Sequence, residues 1–343
     1  MEFKVAKVLS SREFYKMIGV LDEILLSDET FILDLSEVMR IDAVVIPNLL
    51  FAGKYIEKKT GNIPFIRLGE DWNAGYIKNY LSNINFYELS NEFYYYENED
   101  MKYGGLVGKK MDRRNTTQRF DYSCGLMEAQ RRLYYGLMPY IEEYLKTFDV
   151  YNDSVQGIFV DSVFKQNDIS YLLSEMIENS FEYAKSDNII TVQSNYKKGK
   201  IFISASDFGM GFYQAMISGK NMDDAGNFLV KPGKLGDAGV NILERYPKNE
   251  EEAIIIGLYK RMKSKKYGLY NIVKKVLELN GIVRIHSQNR QIILTSRLME
   301  EFLDGTLSYT YNNYRGYNII STKEFDGVHY ELELPLSIYS QEN

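Results

Sequence analysis

Glu175 and Asn179 stand four residues apart in the segment YLLSEMIENSFEYA, a spacing that puts them one turn apart on one helix face. A carboxylate beside an amide oxygen suits a magnesium–phosphate site. Magnesium takes oxygen ligands and keeps waters, and a nearby carboxylate can orient an attacking water or hydroxyl. Glu182 falls near the same face, and Glu178 and Glu182 are like charges at i,i+4. A second group follows in Asp207-Phe208-Gly209-Met210-Gly211. Its glycines permit positive φ and close backbone approach to a ligand, and Asp207 is an acceptor able to read an amino group. A third is Lys266-Tyr267-Gly268-Leu269, where a glycine at a helix start lets backbone N–H groups face an anion.

These residues need elements to hold them. Asp168 is placed to cap the helix that carries Glu175, whose apolar stripe is Leu172, Leu173, Met176, Ile177 and Ala184. Strands over 189–195 and 201–206, joined through Gly199, deliver Asp207 at the end of the second. The segment IVKKVLELNG reads as a helix ended by Gly281 in the manner of a C-cap, with strands over 282–288 and 291–296 beyond it. Upstream, 125–148 shows apolar residues every three or four positions and should kink at Pro139. Residues 92–124 have no clear period and form a seam between domains. Before it, strands over 3–8, 31–35 and 63–68 alternate with helices over 13–26, 43–58 and 74–81, the pattern of an α/β layer with parallel pairing.

Composition narrows the chemistry. With 45% apolar and 26% charged residues among 343, the chain can bury a sizeable core. A net charge of −6 leaves only local basic runs, 109–114 and 260–266, for nucleic acid, which makes nucleic acid a disfavoured partner. One cysteine, Cys124, and two histidines, His286 and His329, exclude an internal disulfide and any multi-cysteine metal site. No run of about 20 apolar residues spans a membrane, and the first residues do not read as a signal peptide. A cytoplasmic location is the expectation.

Order and spacing together, a Glu-x-x-x-Asn helix, a hairpin, Asp-x-Gly-x-Gly, a long loop, Gly-Leu before a helix and a terminal strand GVHYELELPL, resemble the GHKL ATPases. That family includes the ATP-binding part of DNA gyrase, MutL proteins and histidine-kinase catalytic domains. The resemblance covers about 155–338 and implies a two-layer α/β sandwich, the Bergerat fold, with ATP and Mg²⁺ as cofactors. It implies that Asn179 ligands Mg²⁺, that Glu175 is the general base and that Asp207 accepts from the adenine amino group. Gly209 and Gly211 would shape the adenine pocket, and Gly268 and Leu269 would belong to the lid and the helix behind it. The long stretch 212–265 would form the lid region, with Lys231, Lys234 and Lys266 as phosphate contacts; Lys266 stands where the family often has glycine.

The N-terminal 92 residues resemble a STAS domain through FILDLSEVMRIDAVVIPNLL, GNIPFIRLGE and IKNYLSNINFYELS. The family's Asp is Asp42; its phosphorylated Ser is Ala43 here, which argues against phospho-switching at that position. Residues 93–154 are then a linker and an amphipathic helix. No histidine lies on 125–148, which argues against a self-contained histidine kinase and leaves open the phosphorylation of a partner's residue. The expectation is an α/β protein that binds ATP and hydrolyses it slowly, its nucleotide state switching contacts with a protein partner, a second copy or its own STAS-like domain. Two alternatives stand beside it: a serine/threonine protein kinase of the anti-sigma type, and a scaffold that senses ATP without turnover.

Overall fold

Short apolar triplets near the N-terminus become strands of a parallel sheet in the computed structural model. It describes residues 1–24, 30–70, 72–97, 115–143, 166–195, 199–218, 247–259, 268–304 and 318–335. The chain runs β1 (Glu2–Lys4), β2 (Val8–Leu9), α1 (Ser11–Ile24), β3 (Ile32–Asp34), β4 (Arg40–Ile41), α2 (Ile46–Thr60), β5 (Phe65–Arg67), α3 (Trp72–Asn83), α4 (Phe86–Ser90) and β6 (Tyr95–Tyr96). Strands β1, β3, β5 and β6 form one parallel sheet in that order, and β2 pairs with β4. The single strand expected over 3–8 is two. The Val5 N–H bonds Asp34 O, whereas the Lys7 carbonyl accepts from Met39 and Arg40, so the chain changes partner between them. The helix expected from 43 starts with a 3-10 turn, Ala43–Val45, before α2 proper, whose first turn accommodates Pro47.

A second, five-stranded sheet is antiparallel throughout, in the order β10–β11–β9–β8–β7. Its strands are β7 (Asn115–Phe120), β8 (Asn188–Asn195), β9 (Lys200–Asp207), β10 (Ile282–Thr295) and β11 (Asn318–Pro335). Between them come α5 (Leu126–Arg132), α6 (138–143), α7 (Gln166–Asn179), α8 (Phe212–Ile217), α9 (Glu250–Tyr259), α10 (Gly268–Glu278) and α11 (Met299–Asp304). Side chains alternate across a strand, and both faces of this sheet are used. Ile201, Ile203 and Ala205 of β9 join a core with helical residues such as Leu172, Ile177, Ile254 and Val273. On the opposite face, Ile189 and Phe325 belong to the core of the N-terminal unit, with Phe202 packed against it. The sheet is therefore a layer shared by the two units.

Several expectations need correcting. The seam 92–124 contributes β7, whose partner is β8; Thr117 and Thr191 hydroxyls meet at 2.8 Å across the pair. The linker reading thus fails for 115–124, which supplies an edge strand, whereas the helix read over 125–148 does pack Ala129, Leu133, Leu137 and Ile141 into the core as far as it is described. Tyr144 and Phe148 lie outside the described residues. Pro139 is preceded by a π-helical turn, Leu133–Leu137, and a widened turn is a usual way to relieve the clash of a proline ring with the preceding carbonyls. Helix α7 is described from Gln166, so Asp168 lies within the helix rather than ahead of it as a cap. The two strands expected over 282–296 are one, bent where Gln288 adopts φ 52° and the register shifts. The left-handed residue closing α10 is Asn280 (φ 57°), while the Gly281 N–H bonds Val276 O at 2.9 Å in a Schellman arrangement.

The lid reading of 212–265 is also narrowed. Residues Phe212–Ile217 and Glu250–Tyr259 are helices, and α9 buries Ala253, Ile254, Ile255, Ile256 and Leu258 on every side, as a core helix does. Lys231, Lys234, the run 260–266 and Lys266 lie outside the described residues.

Candidate functional site

Helix α7 buries Ile169, Leu172, Leu173, Met176 and Ile177, and this orientation sets Glu175 and Asn179 along one edge of the packed face. Glu175 is buried and Asn179 half-buried. Tyrosines crowd this edge. The Tyr171 hydroxyl accepts from Asn271 Nδ2 of α10 at 3.0 Å, and burial with nearby Glu175 raises its pKa. Tyr183 is raised by burial and by the charges of Glu182 and Glu175. Tyr330, buried on β11, is hydrogen-bonded to Asn179; its pKa is pushed up by burial and by the charge of Asp207. Glu178 accepts from Gln130 Nε2 of α5 at 2.7 Å, which offsets its repulsion with Glu182.

Asp207 closes β9 on the same face as Tyr330. Its Oδ1 accepts from the N–H groups of Gly209 (3.1 Å) and Val328 (3.2 Å), and its Oδ2 from the Ser180 hydroxyl (3.3 Å). Burial drives its pKa up to about 7 against these bonds. A carboxylate offers about four lone-pair sites, so two N–H donors and a hydroxyl shared with Met176 O (3.1 Å) leave capacity for at least one more. Asn188, the cross-strand neighbour of Asp207, donates to Ser180 Oγ at 2.6 Å, and its Oδ1 is buried without a hydrogen-bond partner. Two acceptors with unfilled capacity, side by side at a strand end, suit a ligand that brings amino donors.

The glycines serve a different end from the one the sequence suggests. Neither Gly209 nor Gly211 has positive φ. A Cβ on Gly209 would stand 2.5 Å from Ala184 O, and one on Gly211 2.5 Å from Gln288 Cγ, so each is glycine because protein packs against it. The left-handed residue is Gly327 (φ 96°) in β11, where a Cβ would collide with the Asp207 carbonyl. Phe208 turns away, stacks on Phe51 of α2 at 5.6 Å and has Lys54 Nζ 5.5 Å above its ring.

The fold thus gathers Glu175, Asn179 and Asp207 on one sheet face, with Gly209 and Gly211 in the loop after β9. Leu269 is buried in the first turn of α10, beside α7; Gly268 begins that helix. Sequence reasoning missed Tyr330, Ser180, Asn188 and Asn271. Ser180 and Asn271 sat in view, one residue after Asn179 and three after Gly268. Tyr330 carried no signal, because one tyrosine among 29 is not distinctive. Among the described residues no group of three or more His, Cys, Asp or Glu side chains could hold a metal ion. A magnesium ion at Asn179 would draw its other ligands from phosphate oxygens and water, which is how that ion is usually bound.

No family model matches the chain, and no curated protein matches it. The arrangement is a mixed α/β protein with parallel and antiparallel sheets, and no helix among the described residues is long and apolar enough to cross a membrane.

Proposed function

We propose that the chain binds ATP with Mg²⁺, hydrolyses it slowly, and passes its nucleotide state to the N-terminal unit. The observation that carries this reading is the end of β9: Asp207 with acceptor capacity to spare and Asn188 Oδ1 unpaired, on the sheet face that also holds Glu175 and Asn179. Asp207 would receive the adenine amino group. Asn179, steadied by Tyr330, would hold Mg²⁺ against the phosphates, and Glu175 would orient and deprotonate the attacking water. The antiparallel sheet with its helical layer, and the chain order α7, β8–β9 hairpin, Asp207 loop, α10, β10, β11, support the GHKL resemblance.

Strand β9 supplies a route to the N-terminal unit, whose STAS-like pattern of strands and helices supports that resemblance too. The Ser204 hydroxyl donates to Val44 O at 2.7 Å and Ser206, next to Asp207, donates to Asn48 Oδ1 at 2.6 Å. A kinase acting on its own N-terminal unit is disfavoured, since position 43 is alanine and only 5% exposed. The test is to follow γ-labelled ATP with Mg²⁺ in wild type and Glu175→Gln. Free phosphate from wild type, reduced about 10²–10⁴-fold in the variant, is the expected result. Label on a protein selects the kinase alternative; tight ATP binding with no product selects the sensor. Failure to bind ATP at all refutes the proposal.

A further inference from the structure

Between the N-terminal unit and the outer face of the shared sheet lies a cavity of about 1480 Å³. It is on the opposite face from Tyr330 and Asn179, because Glu331, one residue along β11, points the other way. Its walls include Tyr15 of α1, Tyr76 and Tyr80 of α3, and Phe202 of β9. Glu331 is 1% exposed; its Oε1 accepts from Ser11 Oγ at 2.6 Å and its Oε2 has no partner. Gln291, 4% exposed and also lining the cavity, has an unpartnered Nε2. Buried polar atoms are nearly always paired, so an unpartnered acceptor and an unpartnered donor on two residues of one cavity wall point to a molecule that brings both a donor and an acceptor.

The lining charges narrow its chemistry. Arg40 is spent on Asp42 (2.7 Å), Lys200 and Arg284 face Glu333, and Lys16 bonds Glu13 (2.6 Å). Arg12 lines the cavity, is exposed, and has no carboxylate partner among the described residues. It follows Ser11, whose hydroxyl already touches Glu331. The cavity wall thus carries an unsatisfied carboxylate, Glu331, and an unpaired guanidinium, Arg12, which are complementary to the two charges of a zwitterion. We infer that this cavity binds an α-amino acid, its ammonium on Glu331, its carboxylate on Arg12 and its side chain against the tyrosines. Glu331 faces Ser11 and Tyr15 from α1, Arg284 from β10 and the charge of Asp42, and burial raises its pKa to about 7. An arriving ammonium favours the ionised carboxylate, so binding near pH 7 releases part of a proton.

The test is calorimetry of the full chain against each of the twenty amino acids, in two buffers of different ionisation enthalpy. At least one should bind saturably, with a buffer-dependent heat showing proton release. Glu331→Gln should weaken it roughly ten- to hundredfold and abolish the proton release. Arg12→Ala, at an exposed position where folding is not at risk, should weaken it as well. Glu175→Gln, on the other face, should leave it unchanged, so this inference and the ATP reading fail separately. Absence of saturable binding up to millimolar concentration, or binding that neither Glu331→Gln nor Arg12→Ala weakens, overturns it.

Discussion

At the scale of single residues, the region around Asp207 is built by glycines that differ in what they avoid. Gly327 carries two constraints: its φ of 96° is disfavoured for any other residue, and its absent Cβ leaves room for the Asp207 backbone. Gly209 carries one, the Ala184 carbonyl. Gly211 meets only side-chain atoms, of Gln288, Glu250 and Ser287, the last two held by their bond to each other and by the Phe212 and Tyr213 N–H groups. Alanine substitutions should therefore rank in that order. Gly327→Ala should cost about 3 kcal/mol or more, Gly209→Ala about 2–3, and Gly211→Ala about 1–2. Urea unfolding of the three variants checks this; an equal cost at Gly211 and Gly327 would show that the approach to the Asp207 backbone is not constraining.

At the scale of elements, β9 decides how the site relates to the rest of the chain. Its sequence IFISAS alternates, and serines at every second place invite the reading of a solvent face. They are instead buried against the N-terminal unit, their hydroxyls bonded to Val44 O and Asn48. Asn48 also donates to the Tyr15 hydroxyl at 3.3 Å. Asn48→Ala strands both hydroxyls in a buried place, at roughly 1–3 kcal/mol each. We expect a loss of about 2–5 kcal/mol, seen equally by amide hydrogen exchange in the N-terminal unit and by circular dichroism of the whole chain. Separate transitions by the two probes would contradict a shared layer. Here lies the limit of legibility. The β8–β9 hairpin, the α7 stripe and the place of Asp207 at a strand end were readable from local periodicity. Strand β7 was not, since NTTQRF pairs through threonine hydroxyls rather than an apolar alternation. The unbroken β10 was not, because its bend at Gln288 uses left-handed backbone without glycine. Above all, no local pattern says that a polar strand face will meet another unit's polar groups.

At the scale of the molecule, the two histidines of the chain meet where the units join. His286 stacks on Tyr15 of α1 at 4.2 Å and lies 5.3 Å from His329, which stacks on Phe325 at 4.9 Å. Both are 1% exposed. His329 Nε2 bonds Asp326 O at 3.0 Å, and its Nδ1 is buried with no partner. Burial lowers both pKa values, that of His329 to about 3. An unfolded histidine titrates near 6.5. Below that pH the unfolded chain takes a proton that folded His329 refuses, so stability is full above about pH 6.5 and is lost as pH falls toward about 3. Asp207 and Glu331, each raised to about 7, act with the opposite sign: their contribution is present at low pH and declines as pH rises toward about 7. The two effects oppose each other across the mildly acidic range, so wild-type stability alone reports neither. Comparison with His329→Phe isolates the histidine. Phenylalanine keeps the ring against Phe325, and the lost bond to Asp326 O costs the same at every pH. Relative to wild type, the variant should gain about 2–3 kcal/mol between about pH 6 and about pH 4, near 1.4 kcal/mol per pH unit for one proton. Urea unfolding at a series of pH values measures this difference directly. A difference independent of pH would mean that His329 is protonated in the folded chain, and that the junction between the units opens to water at acid pH without unfolding.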